Sequence, residues 1–132
     1  MAVLVTRASK GSPLTNTEMD DNLNNLNLES IVGTVASGAT ITPAATDSLY
    51  TVTALATGAT FAVPSGTPVN NHKLLIRIKD NGGAQTLNWN AIYRAVGVTL
   101  PTTTVAGKTH YIGMVYNSAD VKWDVIAVTK EA

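Results

Sequence analysis

Lys73-Leu74-Leu75-Ile76-Arg77-Ile78-Lys79-Asp80-Asn81-Gly82-Gly83 is the stretch on which the fold turns. Leu74, Ile76 and Ile78 alternate with Lys73, Arg77 and Lys79, the period of two expected of a strand with one face in a core and one in water. Asp80-Asn81-Gly82-Gly83 is a turn, because Asn and Gly tolerate positive φ, and the chain is predicted to return through Gln85, Leu87 and Trp89. Upstream, residues 49–55 alternate in the same way, and a short run at 60–63 is stopped by Pro64-Ser65-Gly66-Thr67-Pro68. Downstream, a strand at 96–100 ends at Pro101, and a threonine run leads to the turn Ala106-Gly107-Lys108. Runs at 109–117 and 121–128 flank Ser118-Ala119-Asp120 as a closing hairpin. Turn signals recurring at intervals of about eight to twelve residues predict a mainly β protein. The expected architecture is an antiparallel β-sandwich or barrel, jelly-roll-like, preceded by a short N-terminal helix and extended arm. No exact internal repeat is present.

Three zones follow from composition: an arm with a short helix at 1–30, a linker or first weak strand at 31–47, and a β domain at 48–132. The middle zone is uncharged until Asp47 and rich in Gly, Ala and Thr, and local pattern leaves both of its readings open. In the first zone Ser12-Pro13-Leu14 is extended, since proline pushes its predecessor out of the α region. Thr15-Asn16-Thr17-Glu18 then fits a capping box. Glu18, Asp20 and Asp21 crowd the first turns, where the helix dipole favours negative charge; this explains them better than an acidic catalytic cluster. Met19, Leu23 and Leu26 form one narrow apolar stripe among the mediocre helix formers Asn22, Asn24, Asn25 and Asn27. A helix of this length is marginal alone, and three side chains bury too little to offset its ordering. Leu14, Met19, Leu23 and Leu26 are therefore the expected contacts with a partner or with further copies; the competing expectation is that the stripe packs on the chain's own β domain.

The 132 residues suit one domain, and 14% charged residues is well below the usual quarter. So little charge weakens colloidal repulsion and favours an assembled protein. Nine basic and nine acidic side chains cancel, and no Lys/Arg cluster is available for phosphates, so nucleic acid is not an expected partner. With no cysteine, disulfides and thiolate metal sites are excluded. The N-terminus carries no secretory signal pattern and no apolar run is long enough to span a bilayer, so neither export nor a membrane is expected, and synthesis is assigned to the cytoplasm.

Catalytic patterns are absent. His72 and His110 share no ligand spacing; His72 is expected in a solvated loop and His110 packed within a strand. Gly107-Lys108-Thr109 supplies only the end of a phosphate loop, whose first glycine position is Thr102. Asp80, Asp120 and Asp124 lie in or beside turns with no acid–base spacing. Trp89, Tyr93, Tyr111, Tyr116 and Trp123 suit core or subunit-interface packing, with sugar or nucleobase stacking the alternative. No enzyme activity, cofactor or metal is expected.

The run from Thr6 to Leu26, with its Lys-Gly-Ser-Pro-Leu-Thr core at 10–15, the acidic Glu18 and the Asn-Leu-x-x-Leu ending at 22–26, resembles the opening of many tailed-phage fibre and virion proteins. In that family such a segment attaches the protein to the particle. Leu75–Gly83, Leu87-Asn88-Trp89-Asn90, Tyr116-Asn117 and Lys122-Trp123-Asp124 resemble β domains of phage fibres and capsid surface proteins. The resemblance implies a homotrimer on the virion surface, made in the cytoplasm of a bacterial host. Fibre proteins usually continue into long shafts, and this sequence has one β domain. The expected function is thus a trimeric capsid decoration (cement) protein held by the major capsid protein; the alternative is a short tail-fibre or tail-tip protein, joined to a tail component, that binds a host receptor. A particle-borne glycan enzyme is the third class. It would need a carboxylate pair from Asp47, Asp80, Asp120, Asp124 and Glu131.

Overall fold

The computed structural model describes residue 6, residues 10–26 and residues 31–132, with the side chains of 23–26 outside the description. The chain divides into two compact units, Met1–Ile31 and Val32–Ala132. In the first, the helix α1 (Asn16–Leu26) follows the predicted cap. The Glu18 N–H donates to Thr15 Oγ1 at 3.2 Å, and the Thr15 N–H donates back to Glu18 Oε2 at 2.8 Å. Two N–H groups that the helix itself leaves unpaired are satisfied reciprocally.

The second unit is mainly β, as the sequence predicts. Its nine strands are β1 (Val32–Val35), β2 (Thr40–Ile41), β3 (Leu49–Leu55), β4 (Ala59–Phe61), β5 (Lys73–Asp80), β6 (Leu87–Trp89), β7 (Tyr93–Ala95), β8 (Thr109–Asn117) and β9 (Lys122–Lys130). They form a six-stranded sheet in the order β1-β3-β5-β8-β9-β7 and a three-stranded sheet in the order β2-β4-β6. Residues 32–47 thus supply β1 and β2.

The pairing corrects the antiparallel expectation. β1, β3 and β5 pair in parallel, as do β2, β4 and β6, and β7 is parallel to β9; only β5–β8 and β8–β9 are antiparallel. The chain lays one strand in the large sheet, crosses to the small sheet, and comes back, so each coil adds one strand to both. A parallel pair needs a long crossover, and here the strand in the other sheet is that crossover. The corners stack too: the Ala45 N–H donates to the Ser65 carbonyl at 2.7 Å and the Ser65 N–H to that of Pro43 at 2.9 Å. Successive coils differ in length, since Val32 pairs with Leu49 and Leu49 with Leu75. That inequality hides the winding from a search for repeats.

Two local expectations change accordingly. The turn after β5 forms, with Gly82 at φ 107° and its N–H 2.7 Å from Asp80 Oδ1, but it is a corner between sheets and not a hairpin. The strand expected at 96–100 lies instead at 93–95, where it pairs with β9, and Gly97 at φ 68° turns the chain away. The closing hairpin β8–β9 forms where expected.

Both sheets feed one core. Ile41, Phe61 and Leu87 come from the small sheet, and Val52, Ile76, Ile78, Ile112, Trp123 and Val125 from the large one. Phe61 stacks on Trp89 with ring centroids 4.4 Å apart, and Trp89 Nε1–H donates to the Pro101 carbonyl at 2.8 Å. Burial raises the Tyr93 phenol well above its usual range while its hydroxyl donates to the Ala62 carbonyl at 2.8 Å.

Candidate interaction surface

The strand alternation that buries Leu74, Ile76 and Ile78 turns Lys73, Leu75, Arg77 and Lys79 to the outer face of the large sheet. Three rows cross this face. Val32, Leu49, Leu75, Gly113 and Ala127 are mutually registered in one. Thr34, Thr51, Arg77, Tyr111 and Thr129 form the next. Lys73, Val115, Asp124 and Arg94 form the third.

The first row is apolar throughout. A bulge between Gly113 and Met114 leaves Ile126 as an extra residue on β9, and Ile126 and Ala127 both stand exposed. Ile126 is 55% exposed and Val32 53%. A recess of about 230 Å³ opens on this face, bounded by Leu75, Gly113, Val115, Ile126, Ala127 and Lys73. Gly113 adds no side chain to it; a Cβ there would meet Ala127 Cβ at 3.4 Å and Leu75 Cδ1 at 3.9 Å.

Charge around the recess is uneven. Arg94 bonds Asp124 at 2.7 Å and Asp120 at 2.8 Å, which neutralises the β7–β9 side and raises the guanidinium further. Hydrogen bonding to Arg94 holds the Asp124 carboxyl below its usual range, against the opposing effect of burial. On the β5 side, Lys73 and Arg77 have no carboxylate partner among the described residues. The Arg77 guanidinium lies over the Tyr111 ring, 5.5 Å from its centroid, and its buried Nε has no acceptor.

The leading segment presents the complement. Leu14 is half-buried and Met19 is 46% exposed. Leu23 and Leu26 lie on α1, and their side chains fall outside the described residues. The Lys10 ammonium bonds Glu18; with the Thr15 N–H it holds the Glu18 carboxyl down to about 2. Asp20 and Asp21 are exposed and have no cationic partner among the described residues.

The remaining polar groups of the β unit brace loops. Asp80 is buried and accepts from Thr104 Oγ1 at 2.5 Å, Gly82 N–H at 2.7 Å and Gly107 N–H at 2.9 Å. Burial alone would raise its pKa, but these three donors outweigh it and the carboxyl sits below its ordinary value. His110 is buried, as a packed strand residue should be, and its Nε2 accepts from the Val105 N–H at 3.0 Å. Burial, then Lys130, lowers its pKa. His72 lies in the loop before β5 and is half-buried: its Nε2–H donates to the Asp47 carbonyl at 2.8 Å and its ring meets Trp123 edge-on. No group of three His, Cys, Asp or Glu side chains among the described residues is placed to hold a metal ion. No helix among them is long and apolar enough to cross a membrane.

The apolar row is not apparent from the alternation of β5 by itself, because its other members lie on different strands. Leu75, standing between Leu74 and Ile76 on the side of Lys73 and Arg77, is the signal that could have found it.

Neither a protein-family model nor a curated protein matches the chain. A chain in a solved structure described as a chaperone–substrate complex matches with a TM-score of 0.43 and 15% identity over 75% of this chain. The match spans 17% of that chain's length. A likeness of this degree carries no argument about fold or function.

Proposed function

We propose that the chain is a non-enzymatic structural protein of a tailed-phage particle, and that it acts as a capsid decoration (cement) protein. In this reading the leading segment joins the particle, and the β unit, two sheets layered as a sandwich, projects from it in a homotrimer. The observation that carries the reading is the leading segment itself. Its phage-like sequence from Lys10 to Leu26 contains the helix α1, with a complete capping box and an exposed Met19, in a unit distinct from the β unit.

The non-enzymatic part rests on the carboxylates of the β unit. Asp47 accepts from the Ala44 N–H, Asp80 from Thr104 and two glycine N–H groups, Asp120 and Asp124 from Arg94, and Glu131 from the Thr109 N–H. Each is committed to holding structure. Nucleic acid, membrane and cofactors play no part in the reading.

The mechanism is linkage. A protein that binds assembled shell and not free subunits stabilises the shell by mass action, by roughly 2.7 kcal/mol per site at a hundredfold excess over Kd. Particles lacking the protein should release their genome at a lower temperature, or under milder osmotic shock, than particles carrying it. Identical release curves would refute the cement role.

A second reading, a short tail-fibre or tail-tip protein, draws on Arg77 over Tyr111 between Thr51 and Thr129. An aromatic ring, a guanidinium and hydroxyls on an open sheet suit a host-surface sugar. That reading predicts that the purified protein adsorbs to host cells and blocks infection, which a cement protein does not do.

A further inference from the structure

We infer that the outer face of the large sheet is the docking surface for helix α1 of a second copy of this chain. The inference rests on the self-assembly in the proposed function and supplies it with a surface and an occupant.

Three observations select this occupant. The first is charge. The β unit carries seven basic and five acidic side chains, whereas the segment before it carries two basic and four acidic. The excess on the sheet is local: Lys73 borders the recess and Arg77 stands in the adjacent row, both without a carboxylate partner among the described residues. Asp20 flanks the apolar stripe of α1 and has no cationic partner among the described residues. Two copies of the sheet face would bring Lys73 and Arg77 against like charges, so sheet-on-sheet association is disfavoured.

The second is exposure. Met19 is 46%, Ile126 55% and Val32 53% exposed, so each offers apolar surface to a second molecule. Net charge is zero, so no long-range repulsion opposes the approach of another copy.

The third is size. Eleven helical residues span about 16 Å. The apolar row from Leu49 through Leu75 and Gly113 to Ala127 crosses four strands, roughly 14 Å. Gly113 leaves the middle of that row open for a protruding side chain, and Met19, long and unbranched, suits an irregular recess. Each copy carries both α1 and this sheet face, so the exchange is head-to-tail and closes as a ring if the rotation permits.

The test is sedimentation-velocity mass of the full chain across a range of micromolar concentrations. Wild type should sediment as a closed oligomer. I126K, at an exposed position where folding tolerates a lysine, should weaken association about tenfold or more, the effect of a charge in a desolvated contact. D20K and K73E should each weaken it, and the D20K/K73E double variant should regain most of the loss. Circular dichroism should show all variants folded.

A wild-type oligomer that ignores I126K and both charge reversals would overturn this surface while leaving self-assembly intact. A wild type that stays monomeric throughout would overturn the surface and the self-assembly together; an intramolecular helix contact is one such case. The place of the protein on a particle is decided separately by particle composition.

Discussion

Replacing Asp80 tests the bracing of the β unit most sharply. Its carboxylate joins the corner at 80–83 to the loop at 104–108 through three donors, Thr104 Oγ1–H, Gly82 N–H and Gly107 N–H. Asp80→Ala removes all three bonds and leaves the buried Thr104 hydroxyl and two part-buried backbone N–H groups without this acceptor. Each such loss costs about 1–3 kcal/mol, and neighbouring losses are not additive, so the expected total is about 3–5 kcal/mol. That is a large fraction of the roughly 5–15 kcal/mol of a typical domain. Asp80→Asn keeps the shape and one strong acceptor, and should cost about 1–3 kcal/mol. Equilibrium urea unfolding followed by tryptophan fluorescence reads the difference. With an m-value of about 1.3 kcal/mol/M, the Ala variant should move the midpoint down by roughly 2–4 M with m unchanged. An Ala midpoint within about 0.5 M of wild type, on the same reasoning, would refute the role given to Asp80.

Other expectations follow from the same contacts. A Cβ on Gly33 would lie 2.5 Å from Tyr50 Cδ2 and 2.7 Å from Asp47 Oδ2, so Gly33→Ala should cost about 1–3 kcal/mol in urea unfolding, and Tyr50→Ala should relieve part of it in a double-mutant cycle. Acid should weaken the β unit in two stages. His110 has a lowered folded pKa, so the unfolded chain binds its proton first and stability falls below about pH 6.5; His110→Gln should remove that stage from a midpoint-against-pH curve. The Asp80 and Asp124 carboxyls are also lowered, so their contribution is present above about pH 4 and is lost as pH falls through their folded values. Thr15→Ala should loosen α1 by about 1 kcal/mol, seen as faster amide exchange in its first turns, while Thr17→Ala, which removes no cap, should leave exchange nearly unchanged.

Much of the fold is legible one strand at a time. Alternation at 73–79 assigns the core face of β5 correctly, and the turn residues at 118–120 place the β8–β9 hairpin. Partner choice is not legible. A period of two says which side chains face a core, but not which strand lies alongside or in which direction. Leu87 and Trp89 therefore read as the return limb of a hairpin, although they belong to the other sheet beside β4. The uncharged residues 31–46 give no local sign that Ile41 and Pro43 are buried parts of a coil, because their neighbours are in the later coil at 59–65. The candidate surface was half visible. The helix cap follows from Thr15 and Glu18, whereas the recess depends on Gly113 meeting Leu75 and Ala127 across three strands and on a bulge that turns Ile126 outward.

The most direct test of a structural role is an image reconstruction of the intact phage particle together with a protein inventory of purified virions. Density for the β unit is expected at regular, symmetry-related positions on the outer surface of the particle. Purified infectious particles that contain no copy of this chain would contradict it.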